Sequence, residues 1–213
     1  MIKSIHIYGI YLAISICVLL QACKTESKST TGYSSAILDG ANRIETTYKV
    51  NPKRALPDPC QLISKETIAT LFNVDPIYIS PVDGSPDSNK KEHRACFFKW
   101  DDPDYPNTAI LVQMQTNTMG EEYEEWMSMS VANKRTTGET MMGESEPHIF
   151  KIFPNVGSDG SYNYEIGKYY WRINNELMIM LAYNMEITEE LQFNSAKTIA
   201  KEMMDNLSKH ANP

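Results

Sequence analysis

Apolar residues recur along this chain with periods that change from segment to segment. Lys65 to Phe72 places Ile68, Leu71 and Phe72 on one helical face. Ser64 precedes it as an N-cap, Glu66 sits in the first turn, and Asn73 follows as a residue that tolerates the left-handed conformation. The spacing predicts a helix over 65–72. Alternation takes over in RACFFKW, where Cys96, Phe98 and Trp100 share one strand face. TAILVQMQT follows as the next strand, and DDPDYPN between them makes a long-looped hairpin.

GEEYEEWMSMSVANKR returns to helical spacing, with Tyr123, Trp126, Met127, Ser130 and Val131 on one face. A short strand in HIFKIF and a meander of SYNYEI, KYYWRI and ELMIMLAY come next, turned by Gly167 and by Asn174-Asn175. Leu177 to Ala182 is apolar throughout, which predicts a central strand covered on both faces. Thr188 opens the last helix, whose stripe is Ala196, Ile199, Ala200, Met203, Met204 and Leu207. Helices with one apolar stripe beside antiparallel strands predict an α+β fold, an antiparallel five- to six-stranded sheet flanked by helices.

The first 57 residues follow a different plan. Lys3 precedes an apolar run from Ile10 to Leu20 of 11 residues. That is shorter than the roughly 20 residues a membrane span requires and suits a secretory signal. Leu20-Gln21-Ala22-Cys23 has the form of a bacterial lipobox. Residues 1–22 are therefore expected to be a lipoprotein signal peptide, with Cys23 acylated. An ordinary secreted protein with a chance cysteine is the plainer reading. Acylation would anchor the chain at a membrane without spanning it. Lys24, rather than the aspartate that retains some lipoproteins at the inner membrane, favours the outer membrane of a bacterial envelope.

Charge divides the chain in the same place. Residues 24–57 carry six Lys/Arg and three Asp/Glu, and few large apolar residues. Residues 23–57 read as a lipidated, weakly basic, flexible tether. From Asp58 onward there are 13 Lys/Arg against 24 Asp/Glu, so 58–213 is expected to be a single acidic globular domain. Nucleic-acid binding needs a basic footprint that this domain lacks. With Cys17 in the signal and Cys23 lipidated, Cys60 and Cys96 remain as a pair, and a disulfide is the default in an oxidising compartment. The rival, a two-cysteine metal site, has no histidine pair at ligand spacing.

Candidate chemistry is sparse, and the reading expects no cofactor. GESEP around Ser145 lacks the final glycine of a nucleophile elbow. Asp101, Asp102 and Asp104 are a weak calcium candidate without the spacing of a calcium loop. Thioethers bind Cu(I), but Met127 and Met129 point to different helix faces. Met178 and Met180 share a strand face expected to be buried, and core filling is the ordinary use of methionine. Tyr169, Tyr170, Trp171 and Arg172 are the candidate binding surface, because Tyr, Trp and Arg are favoured at interfaces.

Asp58, Pro59, Cys60, Leu62, Ile63, Ser64 and Glu66 form an opening, D-P-C-x-L-[LI]-[ST]-x-E, that resembles small actinobacterial lipoproteins of unknown function. Cys96 with Trp100, the turn with Gly157 and Asp159, and the closing helix extend the resemblance loosely over 58–208. The long linker, the extra methionines and Asn73 in place of a glycine depart from it. The resemblance implies a Mog1/PsbP-like sandwich and a non-enzymatic envelope module. The function expected is a lipid-anchored, non-catalytic binding module for another envelope protein, a peptide or a small apolar ligand. The alternatives are an envelope hydrolase with a spatially assembled site and a protective protein that neutralises a secreted toxin.

Overall fold

The turn residues of this chain decide how its strands are joined. Among the described residues, the non-glycine positions with positive φ are all asparagine: Asn73, Asn107, Asn155 and Asn174. Asparagine reaches the left-handed region at lower cost than other side chains. Asn73 ends a helix there at φ 55°, and Asn174 turns a hairpin at φ 52°. The structure is a computed structural model that describes Arg43, Ile44, Thr46, residues 48–102 and 107–119, Tyr123, and residues 125–211.

Four α-helices and seven strands follow in order: α1 (Pro59–Leu62), α2 (Lys65–Phe72), a 3₁₀ turn (Pro76–Tyr78), β1 (Ser80–Asp83), β2 (His93–Lys99), β3 (Ala109–Thr116), α3 (Trp126–Thr136), β4 (Lys151–Ile152), β5 (Asp159–Asn163), β6 (Lys168–Ile173), β7 (Leu177–Asn184) and α4 (Glu189–Ala211). The fold is α+β, and its single antiparallel sheet runs β1-β2-β3-β7-β6-β5-β4. It has seven strands rather than five or six. The extra member is the edge β1, proline-marked and too brief to show strand periodicity; the other edge, β4, is the short strand expected in HIFKIF. These edges resist further pairing: Pro81 removes an amide donor from β1, and β4 is two residues long.

One sheet face carries the main core. Cys96, Val112, Leu181 and Tyr169 lie in one row across β2, β3, β7 and β6, and Met114, Ile179 and Trp171 lie in the next. All are fully or nearly fully buried together with the α4 stripe, Ile199, Met203, Met204 and Leu207. Side chains of this size each contribute roughly 1.5–3 kcal/mol on burial. Helices on this face are tied by polar contacts as well. Ser64 N donates to Glu202 Oε1 at 3.0 Å, Asn206 Nδ2 donates to Leu62 O at 2.9 Å, and Thr188 Oγ1 accepts from Leu191 N at 3.2 Å. Ser64 caps α2 through Thr67 N, as its position predicts. Tyr169 Oη and Trp171 Nε1 are buried in this layer with no protein partner, a cost accepted for the aromatic packing around them.

Cys60 and Cys96 are joined in a disulfide that fixes α1 to β2. The core also takes in residues that composition assigned to the tether. Tyr48 and Leu56 are buried in it, Leu56 N donates to Lys90 O at 3.0 Å, and Ile44 makes a parallel bridge with Val156. Isolated apolar residues in a polar stretch carry no period, so the linker's docked part gives no pattern to read. The expected signal peptide, Cys23 and the first part of the expected tether lie outside the described residues.

Candidate functional site

The second sheet face is covered over only half its width. Helix α3 lies across β5 and β6, held by a two-pronged ion pair in which Arg135 meets both carboxylate oxygens of Asp159 at 2.9 Å. Ser161 Oγ donates to Val131 O at 3.0 Å beneath the helix. Met127, Val131, Phe150 and Tyr170 are buried on this side, apart from the main core.

Glu139 closes the loop that follows α3. Its carboxylate accepts hydrogen bonds from Lys134 Nζ at 2.7 Å, from Tyr170 Oη at 2.9 Å and from Lys168 Nζ. The Lys134 ammonium lies 4.0 Å from the centre of the Tyr170 ring. Burial alone would raise the Glu139 pKa, but the two lysines and the tyrosine outweigh it and hold the carboxyl at about 2. Burial, and then Glu139, push the Tyr170 phenol well above its ordinary value. Backbone bonds in both directions between Glu139 and His148, each 3.0 Å, zip the loop shut.

Beyond α3, no helix among the described residues covers the sheet. Val82, Phe97, Leu111 and Ala182 form one row across β1, β2, β3 and β7. All four are apolar, and none is buried; Val82 is 43% exposed. Two hollows lie end to end along β3 on this face. The first, of about 550 Å³, is lined by Phe97 and Leu111 and rimmed by Tyr78, Lys99, Asp101 and Asn184. The second, of about 530 Å³, lies between β2, β3 and β7 and the α3 residues Trp126, Ser130 and Lys134.

This arrangement corrects two expectations. The aromatic strand is no docking surface: Tyr169 and Trp171 are fully buried and Tyr170 is 6% exposed. Tyr170 is under α3 and its loop, so its side of the strand belongs to the covered half. Arg172 is half-buried and turned back to Asn174 O at 2.7 Å. Nor is β7 covered on both faces. Leu177, Ile179, Leu181 and Tyr183 are buried, but Met178, Met180 and Ala182 are only partly so.

Asp101 is exposed at the rim of the first hollow, Asp102 is half-buried, and Asp104 lies outside the described residues. Among the described residues no three His, Cys, Asp or Glu side chains gather at metal-binding distance. The open face was present in the sequence only as the partners of core residues: Phe97 between Cys96 and Phe98, Leu111 between Ile110 and Val112. Such runs do not say which face lacks a helix. No family model, curated protein or solved structure matches the chain.

Proposed function

We propose that this chain is a lipid-anchored binding module of a bacterial envelope, held at the membrane by acylated Cys23 and engaging its partner through the open half of the sheet. The observation that carries the reading is the uncovered apolar row Val82, Phe97, Leu111 and Ala182. A row of this kind on a monomer is the expected mark of an interaction surface. Its rim, with Lys99, Asp101, Asn107 and Asn184, supplies the polar border that such surfaces carry. The partner class is another envelope protein, a peptide or a small apolar ligand. The signal run and lipobox at Leu20 to Cys23 support the location, and Lys24 favours the outer membrane.

A photo-crosslinking amino acid at Phe97 or Leu111, compared with the exposed α4 position Lys201, tests the docking face in intact cells. Adducts confined to the sheet positions are expected, and equal or absent adducts at all three sites overturn the reading. The anchor is tested separately: Cys23→Ser is expected to leave the membrane fraction, and retention there refutes acylation at this cysteine.

A further inference from the structure

The second hollow brings together side chains that share no segment of the sequence. His93 on β2, Gln115 on β3 and Met178 on β7 occupy one row, and Gln113 and Met180 occupy the next. His93, Met178 and Met180 all stand on the open face and line the same hollow, with Trp126 of α3 at its wall. None of the four is fully buried. With strands about 4.8 Å apart, the backbones of His93 and Met178 are separated by roughly 10 Å. An imidazole and a thioether approaching each other over the intervening Gln115, with an ion between them, can close that distance.

The composition of the wall selects the ion. No carboxylate and no thiolate lines this hollow among the described residues. Ca²⁺ and Mg²⁺ require oxygen ligands, and structural zinc is held by thiolate, imidazole and carboxylate. Two thioethers and one imidazole form a neutral, soft set of the kind that selects Cu(I). The Trp126 indole in the same lining would add cation–π attraction if its face meets the ion. Of the two cationic residues at the same wall, the Lys134 ammonium is compensated by Glu139 at 2.7 Å and by the Tyr170 ring, and the Arg94 guanidinium by Asp58 at 3.0 Å. Around the hollow, the domain from Asp58 onward carries a net charge of −11, which favours the approach of cations.

We propose that this hollow binds a soft monovalent cation, Cu(I) or its analogue Ag(I), through the thioethers of Met178 and Met180 and a ring nitrogen of His93, with the Trp126 indole packed against the ion. The ion is held without change of oxidation state. The site is independent of the docking function proposed above.

The test uses the full chain carrying Cys17→Ser and Cys23→Ser, so that no free thiol competes while the Cys60–Cys96 bond stays intact. Ag(I) is titrated with tryptophan fluorescence as the readout, and Cu(I) is titrated against a chromophoric Cu(I) chelator. One equivalent of each ion is expected to bind, with quenching of Trp126 that is absent in Trp126→Phe. Met178→Leu/Met180→Leu conserves volume and is expected to weaken binding at least tenfold while leaving the urea midpoint close to that of the parent. His93→Gln is expected to weaken it as well. Met129→Leu/Met142→Leu, at two exposed methionines, is expected to change nothing. Failure of the parent to bind one equivalent, or undiminished affinity in the Met178/Met180 variant, overturns the proposal. So does loss of binding in the Met129/Met142 variant, or displacement of Ag(I) by equimolar Zn²⁺.

Discussion

Replacing Glu139 by glutamine removes one negative charge from between two lysines and leaves the volume almost unchanged. The carboxylate accepts from Lys134 at 2.7 Å, from Tyr170 at 2.9 Å and from Lys168. Hydrogen bonds to charged groups each contribute about 1.5–3 kcal/mol. Glutamine keeps one accepting oxygen, however, and the Glu139 side chain is 22% exposed, so solvent screening reduces the loss. The expected destabilisation at pH 7 is about 2 kcal/mol, a fall in Tm of roughly 4–8 °C for a domain of this size.

The pH dependence separates this account from a simple packing defect. In the folded state the carboxyl is held at about 2, below its ordinary value of 4.5. A depressed carboxylate contributes stability that is fully present above the unfolded value and is lost as pH falls toward the folded one. The window is therefore from about pH 4.5 down to about pH 2. Glutamine does not titrate, so the stability gap between parent and Glu139→Gln narrows through that window. Urea unfolding of both proteins at pH 7, 5 and 3, with matched m-values, measures the gap. A gap below about 0.5 kcal/mol at pH 7, or one unchanged between pH 5 and pH 3, refutes the reasoning.

The Cys60–Cys96 bond closes a loop with a sequence separation of 36, for which the chain-entropy model gives about 4 kcal/mol as an upper value. Cys60→Ala/Cys96→Ala is expected to lose between about 2 and 4 kcal/mol in urea melts, and a loss below 1 kcal/mol contradicts that account. Gly157 sits at φ +58°, and an added Cβ would lie 2.3 Å from Arg172 O. Gly157→Ala is expected to cost at least about 2 kcal/mol, read as a lowered thermal midpoint. Leu181→Ala empties a fully buried position and is expected to cost about 2–5 kcal/mol. Leu111→Ala, on the open face of the same sheet, is expected to cost under about 1 kcal/mol; similar losses at the two sites would mean that the face is covered.

Helix α2 was legible residue by residue, because Ser64, the Ile68/Leu71/Phe72 face and Asn73 each act within one helix length. The same holds for α4 and for the β5-β6-β7 meander, whose turns are local asparagine and glycine chemistry. The Cys60–Cys96 pairing followed from counting. The edge strand β1 was not legible, since its four residues depend on pairing with β2 rather than on any period of their own. The open face was hidden for a related reason. Phe97 and Leu111 are apolar whether or not a helix covers them, and only the placement of α3 over β5 and β6 leaves them exposed. Tyr170 was misjudged on the same ground, since α3 and the Glu139 loop arrive from distant sequence to cover it. His93 and Met178 are brought into one row by two strand pairings that no local window contains.

The docked part of the linker has a mechanical consequence. For a chain held at Cys23, a pull transmitted along the linker would load, among the described residues, the parallel bridge of Ile44 with Val156. Two backbone bonds secure that point, Ile44 N to Asn155 O at 2.9 Å and Gly157 N to Ile44 O at 2.8 Å. Behind it come Tyr48 and Leu56, and then Cys60, whose covalent bond to Cys96 stops further peeling. Stripping this segment under load would free residues 44–60, whose extended contour is about 55 Å at roughly 3.3–3.6 Å per residue, while the cross-linked sheet stays folded. In a chain anchored at Cys23 the linker would then lengthen under force, and constant-force pulling is expected to show a small reversible step before the sheet gives way.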